Sequence, residues 1–213
     1  RAHNPLATLL ALVAWLPAAA AALELDDVAR EGELRFLAVR PDPGAYWYES
    51  RVQIGPDSLE TGLVDLQTCH HALDPNRRIV VAFNPQRVQS IRIASTEGVG
   101  RAWVDGHQVE LADVQRGGQV CIDLRSRALE RVEGVEGGQR FRLHAGPLMR
   151  RYLDGFLPMQ ARLNFQWPQG LLAVASTQPA AQPGVQVDAQ STGLRLDMVF
   201  AGRMTATVEL TRP

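Results

Sequence analysis

The chain contains no lysine: every one of its 22 basic residues, among 213 in all, is arginine. That single absence removes the P-loop lysine of nucleotide-binding enzymes, the Schiff-base lysine of aldolases and pyridoxal enzymes, and the kinase lysine. Other signatures are missing too. There is no G-x-S-x-G, H-E-x-x-H, C-x-x-C, C-x-x-C-H or G-x-G-x-x-G in the sequence. Triads assemble from distant positions, so missing motifs lower the expectation of an enzyme without abolishing it. Charge of one sign is also lacking. The net charge is −1, which offers no electrostatic case for nucleic acid as a partner. No cofactor is called for by any of these patterns.

What the sequence does have begins at its N-terminus. Arg1 and His3 precede an apolar run from Leu6 to Leu16, then Pro17 and the tract Ala18 to Ala22. This reads as a secretory signal peptide over residues 1–22, with cleavage near Ala22. The competing reading is a retained anchor over Pro5 to Leu23, nearly long enough to span a bilayer. Cleavage predicts a periplasmic or secreted protein with no membrane attachment afterwards. In that oxidising setting Cys69 and Cys121, the only two cysteines, are expected to form one disulfide.

Downstream, the hydrophobic pattern has a period of two. Met159, Ala161, Leu163, Phe165 and Trp167 alternate with Gln160, Arg162, Asn164 and Gln166, the pattern of a half-buried strand. Tyr46 to Ile54 alternates in the same way. Asp105-Gly106 between Arg101 to Val104 and His107 to Leu111 predicts a tight hairpin. Leu194 to Phe200 and Met204 to Leu210 predict a second hairpin through Ala201-Gly202, and Leu59 to Cys69 reads as a strand. Several short strands separated by turn residues predict an all-β fold, an antiparallel β-sandwich, Ig-like or related. An outer-membrane barrel would need longer and more regular strands. Residues 23–136 and 137–213 form two β-rich halves of one domain or two subdomains, divided at a Gly-rich link around Gly137-Gly138. One departure from the pattern is Gly146 to Pro158. There Pro147, Gly155 and the spacing of Met149, Tyr152, Leu153 and Phe156 predict a short helix near residues 147–155.

That predicted helix carries the candidate ligand-binding residues Arg150, Arg151, Tyr152 and Asp154, with His144 just upstream. Paired guanidinium forks suit a carboxylate, a phosphate or an anionic glycan. Tyr46, Trp47 and Tyr48 offer either sandwich core or a patch for a sugar or a protein. His70 and His71 are candidate metal ligands. Adjacent residues of a strand point to opposite faces, so joint ligation needs a turn, which Asp74-Pro75-Asn76 makes available. With free thiols, Cys69, Cys121, His107, His144 and Met149 would complete a soft, copper-like set. The functional expectation is an exported, non-enzymatic binding or assembly module of the cell envelope, its partner an envelope protein or an anionic small molecule or glycan. The alternatives are a periplasmic metal-handling protein and a hydrolase built on Asp154, His144 or Tyr152.

Overall fold

In the computed structural model the alternating pattern becomes strands almost throughout. The structure describes residues 29–30, 33–39, 42, 44–132, 139–152 and 155–213. The leader, Asp154 and the Gly-rich link around Gly137-Gly138 lie outside these residues. In chain order the elements are β1 (Ala29–Arg30), β2 (Leu34–Phe36), β3 (Trp47–Gln53), α1 (Ser58–Thr61), β4 (Leu63–Leu73), β5 (Asn76–Ala82), β6 (Val88–Asp105) and β7 (Gln108–Arg127). They continue with β8 (Leu129–Val132), β9 (Arg140–Leu148), β10 (Arg150–Tyr152), β11 (Gly155–Leu157), β12 (Met159–Gln166), β13 (Ala173–Gln178), β14 (Val185–Gln190), β15 (Gly193–Gly202) and β16 (Met204–Thr211).

These strands make three sheets. The largest runs β14-β15-β12-β3-β4-β7-β5, with β2 on β15 and β6 on β7; the second runs β13-β16-β9-β8; a small third runs β1-β11-β10. The fold is all-β and sandwich-like, as the alternation predicts, and among the described residues no sheet closes into a barrel. One buried core joins the two larger sheets. Leu163 and Phe165 of β12, Leu196, Met198 and Phe200 of β15, and Tyr48 and Val52 of β3 share it with Phe141 and Leu143 of β9 and Val208 and Leu210 of β16. At roughly 1.5–3 kcal/mol for each fully buried large apolar side chain, this core is the main source of stability.

Strands from both sides of residue 137 lie in the large sheet, because β12 pairs with β3. That pairing is parallel, from Gln160 opposite Trp47 to Gln166 opposite Gln53, where the sequence pattern predicts antiparallel neighbours alone. A parallel pair needs a long crossover. Here the whole segment from β4 to β11 supplies it.

Three expectations are corrected. The described residues of the segment expected to be a helix, 147–152 and 155, contain none: β9 continues to Leu148, and β10 and β11 form an antiparallel pair with Arg150 opposite Leu157. A helix this short is marginal by itself, whereas pairing with β16 and β1 satisfies the backbone and buries Phe156 against Ala201. Among the described residues the one short helix is instead α1, which takes Leu59 out of the strand expected there and ends at Gly62 in the left-handed conformation. Third, β15 and β16 are not a hairpin. They belong to different sheets, so the chain crosses at Arg203 and the two apolar faces meet across the core instead of side by side. At the crossing Gly202 has φ +116, and a Cβ there would lie 2.0 Å from the Glu33 carbonyl oxygen. Only glycine fits.

The predicted hairpin is present with its turn shifted by one residue. Asp105 pairs with Gln108, leaving Gly106 and His107 as the central pair, with Gly106 at φ +57. Glycine at the first central position is the II′ pattern. The arms are far longer than the sequence predicts, at 18 and 20 residues, because three bulges in β6 keep the ladder going where the alternation breaks. Along the opposite edge of β7, β4 covers Gly118 to Arg127 and β5 covers Gln108 to Val114. The far end of the hairpin is therefore a three-stranded ribbon, β5-β7-β6.

Candidate functional site

Strand pairing draws several of the singled-out residues together. Antiparallel β3 and β4 place Trp47 opposite His71, Tyr48 opposite His70 and Glu49 opposite Cys69. Adjacent side chains of a strand leave on opposite faces. Thus His70 enters the core side with Tyr46, Tyr48, Ser50 and Thr68, while His71, Trp47 and Cys69 lie on the outer side.

On the core side, the Tyr46 hydroxyl and His70 Nδ1 share a 2.8 Å hydrogen bond, and the Tyr48 ring meets the imidazole edge-on at 5.3 Å. Burial pulls the His70 pKa down to about 4, with the neighbouring His71 charge adding to the effect. Burial likewise pushes Tyr48 up to about 12, against a hydrogen bond from Ser50, and raises Tyr46 further, against the opposing charge of Arg150. All three groups are neutral near pH 7. A general base works best with a pKa near the working pH, so this pair is suited to holding structure and not to moving protons. His70 Nε2 and Thr68 Oγ1, on the same face of β4, are buried with no hydrogen-bond partner among the described residues.

A short flap lies beside this cluster. Arg150 of β10 makes an ion pair with Asp74, donates to the Pro158 carbonyl at 3.3 Å and lies over the Tyr46 ring at 5.6 Å. Only 13% of its side chain is exposed, so its fork is engaged inside the fold. Arg151 goes to the other face, over the Phe156 ring at 6.0 Å. The two arginines do not form a clamp. Tyr152 continues β10, and Asp154 falls outside the described residues. His144 is elsewhere, on β9, with Nε2 3.2 Å from Glu130 of β8.

On the outer side, Trp47 stacks on His71 with ring centres 4.0 Å apart and planes 12° from parallel. His71 Nδ1 lies 3.2 Å from Gln119 Oε1, and Gln119 donates in turn to Glu97 at 2.6 Å. Beside them Cys69 and Cys121, opposite each other on β4 and β7, form the expected disulfide. Their sulfurs are therefore not thiolate ligands. His107 is at the hairpin tip, His70 and His71 face opposite ways, and among the described residues no three His, Cys, Asp or Glu side chains converge on one metal position.

A second cluster escaped the sequence reading. On the ribbon, Val80, Glu110 and Trp103 stand in one cross-strand row. Glu110 is 5% exposed, and Arg78 closes on it with two parallel 2.8 Å hydrogen bonds from Nε and Nη2, the forked geometry peculiar to arginine. The Arg101 guanidinium lies 4.8 Å over the Trp103 ring, and Val80, in the same row, stays 44% exposed. The hairpin turn Gly106-His107 was the available signal, since it fixes which residues flank Trp103. The partner strand β5 was not inferable from it.

Comparison with known proteins adds little. No family model matches the chain, and no curated protein matches it. Among solved structures it is similar to a mutant M1 zinc metallopeptidase from Deinococcus radiodurans bound to a Tyr-Ser-Ala substrate, at 12% identity and TM-score 0.38, over 86% of this chain and 43% of that one. A two-domain M1 zinc metallopeptidase mutant bound to L-tryptophan is similar at 11% identity and TM-score 0.39, over 86% and 44%. The chain spans less than half the length of these structures. Likeness at this level carries no argument about activity, and the zinc motif H-E-x-x-H is absent from the sequence.

Proposed function

We propose that this protein is an exported, non-enzymatic binding or assembly module of the cell envelope, and that it takes a protein partner on the solvent face of the β5-β7-β6 ribbon. The observation that carries the reading is the row Val80-Glu110-Trp103 with Arg78 and Arg101 around it. Tryptophan and arginine are the side chains that most often dominate binding energy at protein interfaces. Here they sit on a three-stranded ribbon beside the exposed Val80 and a carboxylate whose charge is already satisfied. Export is supported by the apolar leader before Ala22 and is consistent with the Cys69–Cys121 bridge.

Capture from an envelope extract tests this. Wild-type protein is expected to retain a defined partner, and Trp103→Ala with Val80→Ser to weaken retention by about thirtyfold, as loss of roughly 2 kcal/mol at an interface centre implies. Retention unchanged in the double variant, with the fold intact by circular dichroism, overturns the ribbon as the binding face. Finding the chain in the cytoplasm with its leader uncut overturns export.

A further inference from the structure

The solvent side of the large sheet has a second feature, remote from the ribbon. Where β3, β12, β15 and β14 end together, the surface hollows into an open depression of about 490 Å³. Its origin lies in the register. Gln53, Gln166, Gly193 and Gln190 form one cross-strand row, and Arg51, Asn164, Arg195 and Asp188 form the next. Gly193 contributes no side chain, so a gap opens between Gln166 and Gln190. A Cβ at Gly193 would lie 2.4 Å from the Phe165 carbonyl oxygen, so the gap is fixed by backbone packing.

The lining is polar and electrically spent. Arg195 pairs with Asp188 at 3.3 Å and with Asp197 at 3.2 Å, and Arg162 holds Asp197 from the other side at 2.6 Å. No uncompensated charge is left to select an ion. Gln53 donates to Gln166, Asn164 to Glu49 and Gln190 to Asp188. The amide groups left over, Gln53 Oε1, Gln166 Nε2, Asn164 Oδ1 and Gln190 Oε1, present donors and acceptors side by side. Trp167 also lines the depression, its side chain otherwise packed in the core, and its indole N–H has no acceptor among the described residues.

We infer that this depression is a binding site for a neutral saccharide, of the size of one or two pyranose rings. Vicinal hydroxyls each donate and accept, which matches an amide carrying both functions, and an uncharged ligand matches an ion-paired floor. The side chains project from paired strands of one sheet, so little ordering is needed on binding. An anion would meet Asp188 with no free cation to offset it, and an apolar ligand would strip the amides of water without return.

The test follows the tryptophan indole signals of the 15N-labelled protein during titration with cellobiose, N,N′-diacetylchitobiose and maltose, with sorbitol as an acyclic control; Trp167→Phe assigns the Trp167 signal. The expected result is a saturable shift of that signal with at least one disaccharide and none with sorbitol. Asn164→Leu with Gln190→Leu is expected to weaken the effect at least about tenfold, the loss of one or two hydrogen bonds, at unchanged melting temperature. Trp103→Ala leaves it untouched, which separates this inference from the ribbon reading. No saturation with any disaccharide, equal shifts with sorbitol, or full binding by the double variant overturns it.

Discussion

Trp47 and Trp103 stand on the same large sheet, both half-buried, yet their surroundings differ in kind. Trp47 is stacked on His71, which is tied through Gln119 to Glu97. Across β3, Tyr46 is tied to His70 and covered by Arg150. Every aromatic face in that region is spent on the protein itself. Trp103 is half-buried under one guanidinium, with Val80 exposed in the same cross-strand row. Arginine shows the same contrast, since Arg150 is 13% exposed and Arg78 66%. Residue type therefore did not decide which end of the sheet is available to a partner. What decided it was whether neighbouring side chains of the sheet pack on the ring, as His71 does at Trp47 with Gln119 holding it, or a single exposed guanidinium does.

The comparison breaks first at the disulfide. If the proximal end is the stabilising end, Cys69→Ser with Cys121→Ser should cost about 4 kcal/mol by the chain-entropy account for a separation of 52 residues. Urea midpoints with and without reductant measure it, and a loss below about 1 kcal/mol would place the stability elsewhere. Acid is the next lever. His70 is held at about 4 against an ordinary 6.5, so the unfolded chain binds more protons between those values and stability falls as pH drops from about 6.5 toward 4. The full loss is about 3 kcal/mol. Stability measured against pH should show this slope in wild type and lose it in His70→Gln.

Arg150→Met is the third test. Removing the donor to Asp74 and to the Pro158 carbonyl should cost about 2 kcal/mol. Binding at the ribbon should remain as it was. If the variant loses partner capture while keeping its melting temperature, the flap and not the ribbon is the recognition element. The smallest effects sharpen the contrast. Ala72 in β4 has φ +51, a conformation that costs a residue with a Cβ about 1 kcal/mol. Ala72→Gly should recover about that much in chemical denaturation. Trp103→Ala, at a half-buried position under Arg101, should shift stability by about 1 kcal/mol or less while weakening partner capture.

Much of the framework was legible from local pattern. The alternation from Met159 to Trp167 gives β12 with every second residue buried. Asp105-Gly106 marks the hairpin within one residue, and the two cysteines find each other. The misreadings share a cause. Met149, Tyr152 and Phe156 have helical spacing, but the segment folds on itself as β10 and β11 and is held by β1 and β16, strands far away in sequence. Leu194 to Phe200 and Met204 to Leu210 alternate as hairpin arms do, and the alternation is the same whether two strands pair edge to edge or pack face to face. The candidate residues were seen singly for the same reason. Nothing near Arg150 in the chain announces Asp74, and nothing near Trp103 announces Val80.

Hydrophobic period, turn residues and cysteine count are properties of neighbours along the chain, and from them follow an all-β body, strand faces and one disulfide. Which sheet each strand joins is settled by hydrogen-bond partners and apolar faces that lie 20 to more than 100 residues apart, as in Arg150 with Asp74 or Gln53 with Gln166. Tertiary pairing alone therefore turned Tyr46 and His70 inward, set Trp103 on the outer face of the ribbon and opened a hollow at Gly193.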